Sequence, residues 1–237
     1  MIETYRSSLK MFFGDKRHSI DMNSIRRARY VPVFDYIAQV MSVDHLAILQ
    51  QEHTYQGLDV VSSTFVQQHS LYEYTGDFLI TKMQKCGLVV LTADCLPIIV
   101  YDSVQHVAGI VHAGWKGSAS QVVVHAIRAM QSKYNVDVSN IHAFYGANAQ
   151  PCCYEVGSEF PFYFASYDYA QKSFIKRNNR LYFDNKLFTT LQLQRLGIKP
   201  ENIYNKHAAC TICSTQYCSA RKDKELAERQ VTVVTLI

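Results

Sequence analysis

Three apolar, β-branched runs lie between Leu88 and His112, and they limit the possible folds more than any other feature of the chain. Leu88–Thr92, Leu96–Tyr101 and Val107–His112 each read as a buried strand. Asp102–Gln105 is polar and suits a hairpin turn between the last two. Ala113-Gly-Trp-Lys-Gly117 follows. Ser118 then reads as the cap of a helix to about Tyr134, with Val122, Val123, Ala126, Ile127 and Met130 on its apolar face. Further on, Ile141–Tyr145 predicts a strand and Phe188–Leu196 a short helix stopped by Gly197. The β-branched tail Val231–Ile237 predicts a closing strand. Interspersed helices and strands, with hairpin and crossover connections, argue for a mixed α+β or α/β chain.

Composition narrows the function. With 237 residues the chain has ample material for a core, and 48% hydrophobic against 19% charged residues excludes a disordered chain. A net charge of +4 is too small to point to nucleic acid. Seven cysteines, an odd number, do not form a secreted disulfide framework and read as reduced thiols of a cytoplasmic protein. Met1–Arg6 carries no apolar signal core, and the longest apolar stretch, Cys86–Tyr101, is broken by Asp94 and Pro97, well short of the ~18 residues of a membrane span. The basic stretch Lys16–Arg29, with Arg26, Arg27 and Arg29, reads as a solvated face.

A metal-ligating set emerges from the predicted hairpin. A turn centred between Ser103 and Val104 pairs Cys95 with His112 across the strands, with Cβ atoms ~5 Å apart. A thiolate and an imidazole at that distance can share one ion. Pro97 points to a bulge or an edge near the pair, and a one-residue slip would separate it. His53 in Gln51-Glu-His-Thr and His69 are both candidates for a third ligand. Two His and one Cys form a zinc-type set with an open fourth position, the mark of a catalytic centre. Such an ion lowers the pKa of bound water or polarises a substrate oxygen. The plain alternatives are a packed core thiol, a hydrogen-bonded structural His, or a Cys–His nucleophile and base pair.

Thr92-Ala-Asp-Cys-Leu-Pro97, His112-Ala-Gly-Trp-Lys-Gly117 and Pro151-Cys-Cys-Tyr-Glu-Val-Gly157, in this order, resemble the laccase-domain or polyphenol oxidase family, now regarded as purine nucleoside phosphorylases. The resemblance runs from about Gln51 to the C-terminus. It implies one domain over residues 1–237, a mixed β-sheet sandwich flanked by helices. It also implies His53, Cys95 and His112 as the zinc ligands, which selects His53 over His69. The implied activity is phosphorolysis of adenosine, guanosine, inosine and methylthioadenosine, with deamination of adenosine beside it, so the implied partners are purine nucleosides and phosphate.

Phosphorolysis needs an anion site and a way to neutralise the leaving purine. Gly114 and Gly117 before a helix start, with Lys116, offer an anion site, against the plain reading of a tight turn. Asp94 and Glu155 are candidates for proton transfer or for supporting the metal ligands, against the plain reading of structural hydrogen-bonding partners. In the weaker C-terminal match, Cys210-Thr-Ile-Cys213 and Ser219-Ala-Arg-Lys-Asp223, Arg221 is a candidate substrate or phosphate contact, and Cys210, Cys213 and Cys218 read as core thiols rather than a second metal site. The chain departs from the family pattern at Phe13–Arg17, Gly146–Pro151, Ala220 and Glu228–Arg229, positions that bear on substrate preference, while the metal motif is intact.

Three other readings compete. A cysteine hydrolase or deamidase would use Cys95 as nucleophile and His112 as base. A copper-dependent polyphenol oxidase is disfavoured, because the chain has no His-x-His pair of the multicopper type. A binding module that keeps its metal for stability is the third.

Overall fold

The computed structural model describes residues 1–23, 32–62, 74–224 and 228–237. In chain order the main elements are β1 (Ile2–Tyr5), β2 (Leu9–Phe13), β3 (Ser19–Asp21), α1 (Pro32–Met41), β4 (His45–Ile48), β5 (Gly57–Asp59), β6 (Phe78–Thr81), β7 (Cys86–Thr92), β8 (Leu96–Asp102) and β9 (Val107–Ala113). There follow α2 (Trp115–Ala119), α3 (Val122–Tyr134), β10 (Ile141–Tyr145), β11 (Glu155–Val156), β12 (Phe174–Arg177), β13 (Arg180–Phe183), α4 (Asn185–Leu196), β14 (Ile203–Tyr204) and β15 (Glu228–Leu236). One six-stranded sheet runs β1-β2-β15-β7-β4 with β3 on β15; another runs β14-β10-β8-β9-β6-β5; β11-β13-β12 form a small third sheet.

The two large sheets face each other. Leu88 and Val90 of β7, Ile99 and Tyr101 of β8, Ile110 of β9 and Val234 of β15 share one buried cluster between them. Val123, Ile127 and Met130 of α3 close the outer face of the second sheet over Ile98, Val100 and Val111. Phe34, Ile37 and Met41 of α1 close the first over Val89, Leu91 and Val231. The result is a helix–sheet–sheet–helix sandwich of α+β type. Both faces of β7, β8 and β9 are thus covered, which is why these strands are continuous apolar runs without alternation.

The hairpin register differs from the predicted one. Leu96 pairs with Ala113 and Pro97 with His112, so the turn is centred between Val104 and Gln105 and Cys95 is not opposite His112. Asp102 causes the difference: its Oδ1 accepts from the backbone N–H of Val104 (2.7 Å) and Gln105 (2.9 Å), and His106 closes the turn at φ 50°. The displacement is two residues, so the strand's side-chain period is preserved and Cys95 and His112 stay on one side. Pro97 sits within β8 without a bulge. β10 ends at Tyr145, opposite Ile98, so the flank of Pro97 lacking an N–H has no strand to pair with, and its carbonyl accepts from Gly146 N–H (3.0 Å).

Helix starts also differ. Ser118 is not a cap but a buried residue inside the single-turn α2, whose N-cap is Gly114. The long helix α3 begins after Gln121, which takes the left-handed conformation at φ 59°. Its predicted apolar face is buried as expected. α4 starts three residues before the predicted Phe188, because Asp184 caps it through Leu187 N–H (2.8 Å); Gly197, at φ 102°, ends it. Of the basic stretch, Arg17 pairs with Asp15 and Lys16 with Asp223, whereas Arg26, Arg27, Arg29 and the rival ligand His69 lie outside the described residues.

Candidate metal centre and its cavity

His53, Cys95 and His112 come together from three places. His53 lies in the loop before β5, Cys95 in the bend between β7 and β8, and His112 near the end of β9. One ligating atom from each lies within 4.8 Å of the other two, and Cys95 Sγ is 3.6 Å from His53 Nε2. The two imidazoles meet edge-on, centroids 4.8 Å apart. Two nitrogens and a sulfur so placed fit a borderline-soft divalent ion with one position left open.

Asp77 assembles the set, and the sequence reading missed it. Its buried carboxylate accepts from His112 Nδ1 (2.7 Å), from the backbone N–H of His53 (3.0 Å) and Thr54 (2.6 Å), and from the Thr54 hydroxyl (2.8 Å). An ionised carboxylate only accepts, so Nδ1 of His112 carries the proton and Nε2 is free to ligate. Burial pushes the Asp77 carboxyl up, but His112 and the Thr54 donors outweigh it and hold it below its ordinary value. His53 sits at φ 61°, a left-handed conformation held by these bonds. Asp77 is 35 residues from His112 and directly precedes β6; no local pattern in the sequence connects them. Gln51 has a similar supporting part: its amide exchanges two 2.8 Å hydrogen bonds with the backbone of Leu91 and so fixes the loop that carries His53 to β7.

The thiol and the buried imidazole are electrostatically coupled. Burial pushes Cys95 up, but the charge of His112 and hydrogen bonds from both histidines bring it down to about 6. Burial pulls His112 down, yet the Cys95 charge and the Asp77 hydrogen bond raise it to about 9. Without an ion the pair is therefore thiolate and imidazolium near neutrality. Gly114 is the spacer beside it: a Cβ there would lie 2.6 Å from His53 Cδ2 and 3.0 Å from Cys95 Sγ.

A cavity of about 920 Å³ opens over the three residues, with Trp115, Tyr154, Arg221 and Arg229 in its wall. Arg221 lies over the Tyr154 ring, 4.5 Å from its centroid, and donates to the Glu155 carbonyl (2.5 Å). Asp94 borders the cavity in a left-handed conformation, φ 84°, but both its oxygens are taken: Oδ1 by Thr211 and Oδ2 by Ser219 and the Arg221 backbone N–H. It ties down the Arg221 segment. Two residues singled out in the sequence are not brought to the cavity. Glu155 is half-exposed and paired with Arg180 at 3.1 Å. Lys116 is exposed, its ammonium 5.7 Å over the Trp115 ring, on a helix of one turn. Arg229, noticed in the sequence only as a departure, does line the cavity.

Three donors beneath a cavity of this size could hold a metal ion with one coordination position open. The chain belongs to the family described as multi-copper polyphenol oxidoreductase laccase, whose model matches residues 9–237. A purine nucleoside phosphorylase of Aquifex aeolicus is 35% identical over 68% of this chain and 71% of its own length. One of Borreliella burgdorferi is 28% identical over 92% and 88%. The fold is shared with the hypothetical protein YfiH of Bacillus licheniformis, at TM-score 0.83, 20% identity and coverage of 100% of this chain and 99% of that one. YlmD of Geobacillus stearothermophilus gives TM-score 0.80 and 19% identity over 98% and 93%. Among the described residues no helix is long and apolar enough to cross a membrane.

Proposed function

We propose that this chain is a zinc-dependent purine nucleoside phosphorylase acting on adenosine, guanosine, inosine and methylthioadenosine, with adenosine deamination beside it, in a reducing cytoplasmic setting. The observation that carries the reading is the His53–Cys95–His112 set, held by Asp77, at the base of a cavity whose wall holds two arginines and two aromatic rings. The relatives named purine nucleoside phosphorylase supply the substrate class.

His53, Cys95 and His112 would hold the ion, and when bound it supplies a Lewis acid at the cavity floor. The other roles belong to the chain itself. Arg221 and Arg229 offer guanidinium groups to phosphate, which two-pronged donors bind better than a point charge. Tyr154 and Trp115 offer apolar faces to a purine or ribose. Asp94 is a positioning residue in this reading, because its oxygens are committed to the Arg221 segment. The volume, about 920 Å³, holds a nucleoside together with phosphate.

A second reading is favoured by one observation: a Cys95 and a His112 ligand atom lie within 4.8 Å of each other, as the nucleophile and base of a cysteine hydrolase would. One experiment addresses both. Inosine and adenosine are incubated with the protein, with and without phosphate, and free base and ribose 1-phosphate are measured. Phosphate-dependent base release, abolished by chelator and reduced more than ~100-fold by Cys95→Ala, is expected. Activity that survives Cys95→Ala contradicts the site. A metal-free, active protein killed by thiol alkylation would favour the hydrolase, and no turnover of any purine nucleoside the binding module.

A further inference from the structure

Outside the cavity floor, a second group of metal-binding side chains converges. Cys152, Cys153, Cys210 and Cys213 place all four sulfurs within 4.8 Å of one another, and none is in a disulfide. They come from two loops, one after β10 and one before β15. The loops are joined by a parallel bridge between Asn148 and Cys210, with Asn148 N–H donating to Ala209 and Thr211 N–H to Asn148. The sequence reads Cys210, Cys213 and Cys218 as core thiols, but Cys213 is exposed and Cys210 only partly buried. Cys218 is buried elsewhere, its N–H held by Gln230 Oε1 at 2.8 Å.

The spacing is that of a site around an ion. Four sulfurs at ~2.3 Å from a tetrahedral ion lie roughly 3.8 Å from one another. Cys152 and Cys213 are 3.9 Å apart, far beyond the ~2.05 Å of a disulfide. Cys210 and Cys213 form a Cys-x-x-Cys pair, a spacing typical of zinc–thiolate sites, and the Asn148–Cys210 bridge sets their loop beside the one that carries Cys152 and Cys153. Two cations grip the same loops. Arg177 donates to the Cys152 carbonyl (2.9 Å), and the Lys222 ammonium donates to the carbonyls of Thr211, Ser214 and Tyr217 (2.6–3.3 Å). Four thiolates around a divalent ion leave two negative charges, and these two cations are bonded to the loops that carry the thiols.

We propose that Cys152, Cys153, Cys210 and Cys213 form a second metal site, a closed tetrathiolate for a zinc-type divalent ion, which staples together the two loops bearing Tyr154 and Arg221. Such a site has no open position and does no chemistry. Its work is to hold the cavity wall: Tyr154 follows Cys153 directly, and Arg221 belongs to the segment that Asp94 anchors through Thr211 and Ser219.

The test uses the full chain, made with added zinc and purified anaerobically under reducing conditions without chelator. Elemental analysis is expected to find two equivalents of zinc in the wild type. One equivalent is expected in Cys95→Ser/His112→Ala, and one in Cys152→Ser/Cys213→Ser. The Cys95→Ser/His112→Ala variant loaded with cobalt is expected to show the intense thiolate charge-transfer absorption of a tetrathiolate ion. Should Cys152→Ser/Cys213→Ser fail to fold, the Cys95→Ser/His112→Ala variant still decides the question. That variant purifying free of metal overturns the proposal, as does mass-spectrometric evidence of a disulfide among the four cysteines under these conditions. Iron in place of zinc would keep the site and change the ion.

Discussion

The His53–Cys95–His112 set and the four-cysteine cluster are opposite solutions to holding sulfur and nitrogen ligands together. In the first, two of the three donors stand at the edges of fully buried strands, and a buried carboxylate fixes the third. In the second, all four donors stand on loops, joined by the Asn148–Cys210 bridge and held by two surface cations. The sheet-borne set offers three donors and lines a cavity; the loop-borne set offers four. Donors fixed by a rigid scaffold can leave a coordination position open, because the strands and the Asp77 hydrogen bonds set the ligand geometry. Loops need the ion itself as the cross-link, so there a full shell is required.

Removing the buried support under His112 should weaken the sheet-borne site and leave the loop-borne one intact. Asp77→Asn keeps the shape but loses the charge that orients His112, and a drop of about 10–100-fold in affinity at the sheet-borne site is expected. Competition with a chromogenic chelator measures it, and the four-cysteine site should be unaffected. Gly114→Ala tests how tightly the sheet-borne site is packed. Its new Cβ has no room beside His53 and Cys95, so a cost of ~1–3 kcal/mol is expected, read as a lower Tm that persists in the presence of zinc.

The pH dependence separates the ligand sets further. Between about pH 6 and 9 the ion-free pair is thiolate Cys95 and imidazolium His112. Binding must expel the His112 proton, so affinity at this site should rise by up to ~10-fold per pH unit and level off near 9. Isothermal titration in buffers of different ionisation enthalpy would count the proton, and a pH-independent affinity would contradict the coupling. The smallest effects concern the cavity wall. Arg221→Ala is expected to raise KM for phosphate by about 5–10-fold, the loss of a charge-assisted contact, while Lys116→Ala changes it less than ~2-fold because its ammonium lies outside the cavity.

The legible and illegible parts of this molecule divide along one physical line. The buried strands β7, β8, β9 and β10, the apolar face of α3 and the Gly197 stop could be read from composition, since each depends on neighbours within a few residues. The N-terminal strands and α1 leave little local signal, because β1–β4 are short and β2, β3 and β4 pair with β15 or β7, far along the chain, while β1 pairs with β2. At the site, the donor types were legible as Cys and His in a strand–turn–strand pattern. The register was not, because a single Asx turn at Asp102 moved it by two residues.

From the sequence alone came the strands that must be buried and the Cys and His that an ion would seek. Hydrophobic burial and ligand chemistry are properties of residue type, and they survive a small error in register. Only the tertiary structure decided which of the acidic and basic candidates matter. It placed Asp77 under His112, turned Asp94 into an anchor, left Glu155 and Lys116 outside the cavity, and gathered four cysteines from two loops. Those outcomes depend on where distant segments of chain cross, and a pairing across tens of residues leaves no local mark on the sequence.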